Sequence, residues 1–293
     1  MILRFEDDMK RELTLGRAPQ RVVSLVPSDT YSVAALGCVA ALVGRTDYCE
    51  LPEDVAKRVP SVGGTKNPRV ADVLALEPDF VIANQEENTK KDLEAIAQAG
   101  IKVLVCFPKR AADGLSHLAR LARVFRVERD PAVRDMLKRG YAAVAEAETA
   151  RAAQTPLRTF CPIWMKPLMT IHGATFISDM LDLAGAQNVF ADRERRYPLA
   201  ADLGTARPLP EAELAGRDVR YPRVTMEEVV ARRPELILLP DEPHPFSPED
   251  AATFRAQGTG AKVVHTSGKD LCWYGAWTVE GLPRLRTLIA EQR

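Results

Sequence analysis

Short runs of consecutive apolar residues alternate along this chain with longer stretches whose apolar positions recur every three or four residues. The runs at 21–26, 41–44, 80–83 and 101–105 in the first half, and at 157–164, 236–239 and 261–264 in the second, read as strands. Continuous apolar character of this kind suits a parallel sheet covered by helices on both faces. Helical spacing begins at Pro27-Ser28-Asp29 and stops at Gly37, begins again at Glu86-Glu87-Asn88 and stops at Gly100, and continues over 111–127 and 279–291. The longest helical stretch is 130–154. There Asp130 serves as N-cap, Pro131 as first helical position, and Val133, Leu137, Tyr141 and Val144 form the apolar stripe. A helix over 131–153 would measure roughly 35 Å at 1.5 Å per residue.

Two similar patterns flank that helix. VLALEPDFVI at 73–82 and VVARRPELIL at 229–238 both read as a helix end, a proline stop, an acid and a buried strand. Each is followed by a helical run and another short strand. The expectation is therefore an α/β fold of two similar lobes with mostly parallel sheets, joined by one long helix. The division falls at 1–110, 111–155 and 156–293. Residues 1–20 read as a hairpin leading in, and 191–222, rich in Arg, Pro and Ala without periodicity, as a long loop.

Composition narrows the function. Forty basic and forty acidic residues cancel, so no overall field draws the chain to nucleic acid or to a membrane surface. Arg193, Arg195 and Arg196 cluster, but with acids interleaved, which reads as a solvated face. Five cysteines without a CxxC pair point to buried thiols rather than a disulfide framework. The opening MILRFEDDMKRELTL carries acids where a secretory signal needs a basic and then an apolar run, so a cytoplasmic setting is expected for the sequence as it stands. A periplasmic or cell-surface setting follows if an export signal has been removed. No apolar run is long enough to be inserted in a bilayer.

Candidate chemistry sits mainly in loops after strands, where open α/β sheets bind ligands. Trp164 ends one strand, Asn84 to Asn88 follow another, and Asp241 to His244 follow the equivalent strand of the second half. Cys272-Trp273-Tyr274-Gly275-Ala276-Trp277 is the densest aromatic cluster. Its polar lead-in suits Trp273 and Tyr274 to a ligand wall and leaves Trp277 to the core. Gly63-Gly64-Thr65-Lys66 resembles an anion-cradling loop but lacks the phosphate-loop spacing. The histidines, His117, His172, His244 and His265, form no paired motif, so no local zinc site is expected. His172 at a helix start is a candidate axial ligand, while His117 and His265 read as surface or core positions. No nucleophile motif is present. An enzyme on this scaffold would have to use Asp47, Glu86, Asp241 or His172 as acid–base groups.

These features in this order resemble the helical-backbone metal receptor superfamily, the substrate-binding proteins of cobalamin, haem and ferric-siderophore ABC importers. The resemblance rests on RVVSLVPSDT at 21–30 with Leu36-Gly37, on Val43-Gly44 through Tyr48 to Pro52, on 73–82, on DMLDLAGAQN at 179–188, and on YPRVTMEEV at 221–229. Cobalamin-binding members are the most similar in pattern. The resemblance implies a ligand cleft between the lobes and a corrinoid or other metal chelate as ligand, with haem or a ferric siderophore as the alternative. It implies no intrinsic cofactor and no catalysis, and an importer permease as partner. Carried onto this sequence, Tyr48, Tyr221 and Trp273 match cleft aromatics and Glu227 matches a transporter-docking acid. At the other docking position stands Ala71, with Asp72 beside it, and Thr65 stands where the first lobe has a cleft tryptophan. The expected ligand-binding set is Tyr48, Asp47, Lys66, Glu86, Trp164, His172, Tyr221, Trp273 and Tyr274, with Glu227 and Asp72 for docking. A chain that has lost ligand binding and serves as an interaction protein is a third reading. It requires 191–222 to fill the cleft.

Overall fold

A computed structural model describes residues 2–293. Its contacts form two compact units. Unit 1 takes the chain up to Pro108 together with Ala112–Tyr141 and Trp273–Val279, and unit 2 takes Lys109–Ala111, Ala142–Cys272 and Glu280–Arg293.

In unit 1 a hairpin of β1 (Leu3–Glu6) and β2 (Glu12–Leu15) precedes the strands β3 (Val22–Ser24), β4 (Leu42–Arg45), β5 (Phe80–Asn84) and β6 (Lys102–Cys106). These four form a parallel sheet in the order β4-β3-β5-β6. Because successive side chains leave a strand on opposite faces, one run feeds two cores. Val22, Phe80, Ile82 and Leu104 pack with Leu118, Leu121 and Val133. Val23, Val81, Ala83, Val103 and Val105 pack on the other side with Val73, Leu93 and Ile96. That is why the strands read as unbroken apolar runs.

Unit 2 repeats the plan. Its strands are β7 (Leu157–Phe160), β8 (Pro162–Met165), β9 (Leu168–Thr170), β10 (Ala186–Asn188), β11 (Leu236–Pro240) and β12 (Lys262–Thr266), with a parallel sheet in the order β10-β7-β11-β12. Ile237 and Leu239 of β11 pack on Phe160, Phe190 and Phe254. The single strand expected over 157–164 is two strands. Proline has no ladder N–H to give, and at Pro162 the chain leaves the parallel sheet for an antiparallel hairpin, β8–β9.

The repeated proline-acid pattern has a mechanical reason. Glu77 and Arg233, each just before the proline, lie in the left-handed region at φ 44° and 49° and end the preceding helices. Asp79 accepts the backbone N–H groups of Gln20 and Arg21, while Arg21 donates from Nη2 to Leu76 O at 2.6 Å and from Nε to Glu77 O at 3.1 Å. In unit 2, Glu235 accepts the N–H of Arg158, and Arg158 donates to Arg232 O at 2.5 Å and Arg233 O at 3.3 Å. In both units, then, an arginine at the start of the sheet's first strand (Arg21 just before β3, Arg158 within β7) closes the helix end, and an acid receives that arginine's own N–H.

The long helix is Pro131–Ala152, and the two units share its residues. Val133, Val144 and Ala147 are buried, but Tyr141 is 42% exposed and so stands outside the stripe predicted for it. Gly140 is required by packing, since a Cβ there would meet Leu115 Cδ2 at 2.6 Å. Residues 191–222 also depart from expectation. They carry the short helix Leu199–Asp202, whose last residue is tied to buried Arg193, and a 3-10 turn at Glu211–Glu213. Arg193 donates to Glu228 at 2.9 Å, to the Asp202 carboxylate at 3.0 Å and to Asp202 O at 2.8 Å. It is the interior pin of this segment and not part of a solvated face.

Trp273–Val279 pack with unit 1 although the sequence expectation put 156–293 in one lobe. Ala276 enters the unit 1 core and donates its N–H to Ser32 Oγ at 3.1 Å, and the Tyr274 hydroxyl donates to Asp29 at 2.8 Å.

Candidate functional site

The carboxyl ends of the unit 1 strands open into three loops that one side chain stitches together. Asn84 closes β5 and accepts the N–H of Glu86 at 2.7 Å. Asn88 accepts the N–H of Asn84 at 2.9 Å and donates to Leu25 O at 3.2 Å, after β3, and to Thr65 O at 2.9 Å, in the glycine loop. Sequence reasoning placed Asn88 at a helix start and in a strand-end segment open to ligand, not as the tie between loops. Asn88→Ala is expected to lower stability by about 2 kcal/mol, because several bonds go and two buried carbonyls lose their donor. An unchanged urea midpoint would show that the loops hold without it.

Gly63 sits at φ 103°, where a Cβ would also meet Asn67 O at 3.0 Å, so this turn needs glycine. On this edge Asp47 donates its N–H to Gly63 O at 2.8 Å and its carboxylate accepts from Ser61. Lys66 donates to Glu86 O. Tyr48 beside them is 62% exposed, with its ring edge against Gly64. Tyr48, Asp47, Lys66 and Glu86 thus gather on one strand-end face. Thr65, where a tryptophan was expected by resemblance, is buried.

In unit 2 the hairpin β8–β9 and the segment after Arg220 build the corresponding edge. His172 donates its N–H to Arg220 O at 2.8 Å and Thr170 donates to Pro222 O at 3.0 Å, which brings Tyr221 beside the hairpin. Trp164 is 43% exposed, donates from Nε1 to Lys166 O at 3.2 Å, and lies against the His244 ring at 5.2 Å between centroids. His172 Nδ1 accepts the N–H of Ala174 at 3.0 Å, so an axial bond would fall to Nε2. Asp241 accepts the N–H of Gly268 at 2.6 Å, which makes it a cap for the turn that follows.

The sequence profile described as periplasmic binding protein matches residues 22–238. The chain belongs to the periplasmic binding protein family. Among its relatives is the vitamin B12-binding protein of Yersinia pestis (strain Pestoides F), 29% identical over 231 residues, which are 78% of this chain and 72% of that protein. The solved periplasmic vitamin B12 binding protein of Vibrio cholerae superposes with a TM-score of 0.73 at 21% identity, covering 94% of this chain and 98% of that one. The periplasmic heme-binding protein of Roseiflexus sp. RS-1 gives a TM-score of 0.71 at 18% identity, covering 94% and 99%. Likenesses at these identities establish the fold, two α/β units with parallel sheets as expected.

Periplasmic binding proteins are a family of binders, not of enzymes. No helix of the described residues is long and apolar enough to cross a membrane. Of the two acids expected at a docking surface, Glu227 is exposed in the first turn of the helix Met226–Ala231, and its own backbone N–H and the Thr225 hydroxyl hold its carboxyl below the usual range. Asp72 is exposed in the first turn of the equivalent helix, Val70–Ala75, and pairs with Arg69.

Two aromatic assignments change. Trp273 and Tyr274, expected in a ligand wall, are each only 5% exposed. Trp273 stands edge-on to Tyr31 and Trp277, and Trp277, expected in the core, is partly exposed, as is Tyr31. Tyr274 belongs to an interior cluster that no local motif announces. Its hydroxyl donates to Asp29 at 2.8 Å and lies 3.0 Å from Cys106 Sγ, while His117 Nε2 is 2.9 Å from the other Asp29 oxygen. Burial pushes the Tyr274 phenol and the Cys106 thiol far up, and the Asp29 charge adds to both, so each keeps its proton. That protonation suits an interior network and not an activated nucleophile.

Proposed function

We propose that this chain is the solute-binding component of an importer for a corrinoid, a vitamin B12-like metal chelate, and that it works in the periplasm. The observation behind this reading is the match to vitamin B12-binding proteins over most of the chain. The strand-end faces supply a physical counterpart. Each carries a large exposed ring, Tyr48 in unit 1 and Trp164 in unit 2, of the kind that flat macrocycles stack on. Asp47, Lys66 and Glu86 on the first edge and His172 and Tyr221 on the second offer polar contacts to amide or acid groups at a chelate's rim. Trp273 contributes by backing Tyr31 and Trp277, and Tyr274 through the fold. Glu227 and Asp72 are the residues proposed to meet a permease.

A second reading, haem, is favoured by one specific feature. His172 has its Nδ1 committed to Ala174, which leaves Nε2 as the ring nitrogen for iron. An absorbance titration of the purified chain with cyanocobalamin and with hemin separates the readings. Saturable cyanocobalamin binding is expected, weakened about tenfold by Tyr48→Ala or Trp164→Ala, which corresponds to the stacking energy of one ring. A hemin Soret shift lost in His172→Ala, with no cyanocobalamin response, would replace the corrinoid by haem. Binding of neither would sink the cargo assignment.

A further inference from the structure

Unit 1 holds a second group of ligand-type side chains, fully interior and directly beneath the strand-end loops, whose Asn84 amide donates to the Tyr274 hydroxyl at 3.3 Å and to Cys106 Sγ at 3.7 Å. Asp29 comes from the first turn of the helix Pro27–Ala35, Cys106 is the last residue of β6, and His117 lies in the helix Ala111–Val124. All three are buried, and one donor atom from each lies within 4.8 Å of the others. Tyr274, from Trp273–Val279, joins them through its hydroxyl. A carboxylate oxygen, an imidazole nitrogen and a thiol sulfur are the donors that tetrahedral zinc takes from proteins.

We propose that Asp29, Cys106 and His117 form a structural site for a divalent first-row cation of zinc's class, with the Tyr274 hydroxyl as its fourth donor. A tetrahedral ion with bonds of about 2.0–2.3 Å sets donor-to-donor edges of roughly 3.3–3.8 Å. The Cys106–Asp29 edge is 3.6 Å. Tyr274 lies 2.8 Å from the same carboxylate oxygen, Oδ2, His117 Nε2 lies 2.9 Å from Oδ1, and Cys106 lies 3.0 Å from Tyr274, each pair drawn in by a shared proton. With the Cys106 proton released, the His117 proton moved to Nδ1 and the Tyr274 hydroxyl keeping its own, a cation asks these pairs to part by less than an ångström. The cation would also give a buried countercharge to the Asp29 carboxylate, which serves both the imidazole and the phenol. Binding releases the Cys106 thiol proton, so affinity rises with pH. The donors are reached from solvent only as the unit folds, so loading and folding are coupled. None of this depends on the nature of the cargo.

Cobalt(II) is the direct probe. The full chain is unfolded with a chelator present, refolded with one equivalent of cobalt(II), desalted and scanned. The expected result is one retained cobalt per chain, with a thiolate-to-cobalt band in the near ultraviolet and tetrahedral visible bands, all bleached by zinc. Cys106→Ser removes the thiolate band, and either Cys106→Ser or His117→Gln weakens cobalt retention by at least about tenfold. Cys161→Ser, a buried thiol of unit 2, leaves both unchanged. Cobalt that is not retained by the wild type, that is retained without the thiolate band, or that survives both substitutions at Cys106 and His117 would overturn the site. Should Cys106→Ser fail to refold, His117→Gln and the wild-type spectrum still decide.

Discussion

Arg193→Met is expected to cost about 3–5 kcal/mol of stability, the loss typical when one partner of a buried ion pair is removed. Arg193 is 5% exposed and Asp202 2%. Asp202 organises the segment beyond this pair, accepting the N–H of Arg196 at 2.9 Å on one oxygen and of Arg223 at 2.8 Å on the other. Methionine fills the space of the arginine stem but leaves that carboxylate in the interior without its countercharge. Urea unfolding should show a lower midpoint. Limited proteolysis should find new cuts within 191–222, since the helix Leu199–Asp202 is held by this contact. A midpoint within experimental error of the wild type would mean that the pair is held by solvent-screened contacts and carries no such weight.

Alkaline pH should unfold the protein earlier than its composition suggests. Desolvation pushes Cys161 up to about 12. Burial, followed by the Asp29 charge, raises Cys106 well above its ordinary 9.0 and Tyr274 well above 10.0. In the metal-free chain, above pH 9 the unfolded state releases these protons while the folded state retains them, so the unfolded state binds fewer and stability falls as pH rises. Each such group takes away about 1.4 kcal/mol per pH unit once its unfolded pKa is passed. Stability is therefore intact below about pH 9 and declines steeply from there to about pH 11. Tyr274→Phe and Cys106→Ser should each flatten the slope of denaturation midpoint against pH. A wild-type midpoint that is level up to pH 11 would contradict the interior placement of these groups.

Much of the architecture was legible because its causes are local. The unbroken runs at 21–26 and 80–83 are strands for the reason they appear to be, sheet faces covered on both sides. The proline-acid repeat marked the duplicated units, but its arginines, Arg21 and Arg158, went unnoticed because they lie 55 and 74 residues from the carbonyls they close. The same distance hid the interior cluster. Asp29 looked like a helix cap and His117 like a packing residue, and nothing in a local window joins positions 88 residues apart. Trp273 and Tyr274 misled for a physical reason. A glycine and polar neighbours suggest a loop, but a loop can also thread an interior, and this one does because Gly275, at φ 76°, passes close to Ser32. Tyr48 became a candidate through the resemblance and Trp164 through its place at the end of an expected strand, and both rings are exposed.

The return of Trp273–Val279 to unit 1 also sets an order of events on the ribosome. A chain made from its amino terminus completes the sheet β4-β3-β5-β6 early, yet Asp29 then has no phenol above it and the core lacks Ala276. Domains that lie wholly upstream can finish folding while synthesis continues. Here the first unit to emerge is among the last to be completed, because its closing residues are translated after nearly all of unit 2. Nascent chains stalled before Tyr274 should therefore hold unit 1 in a looser state than the released protein.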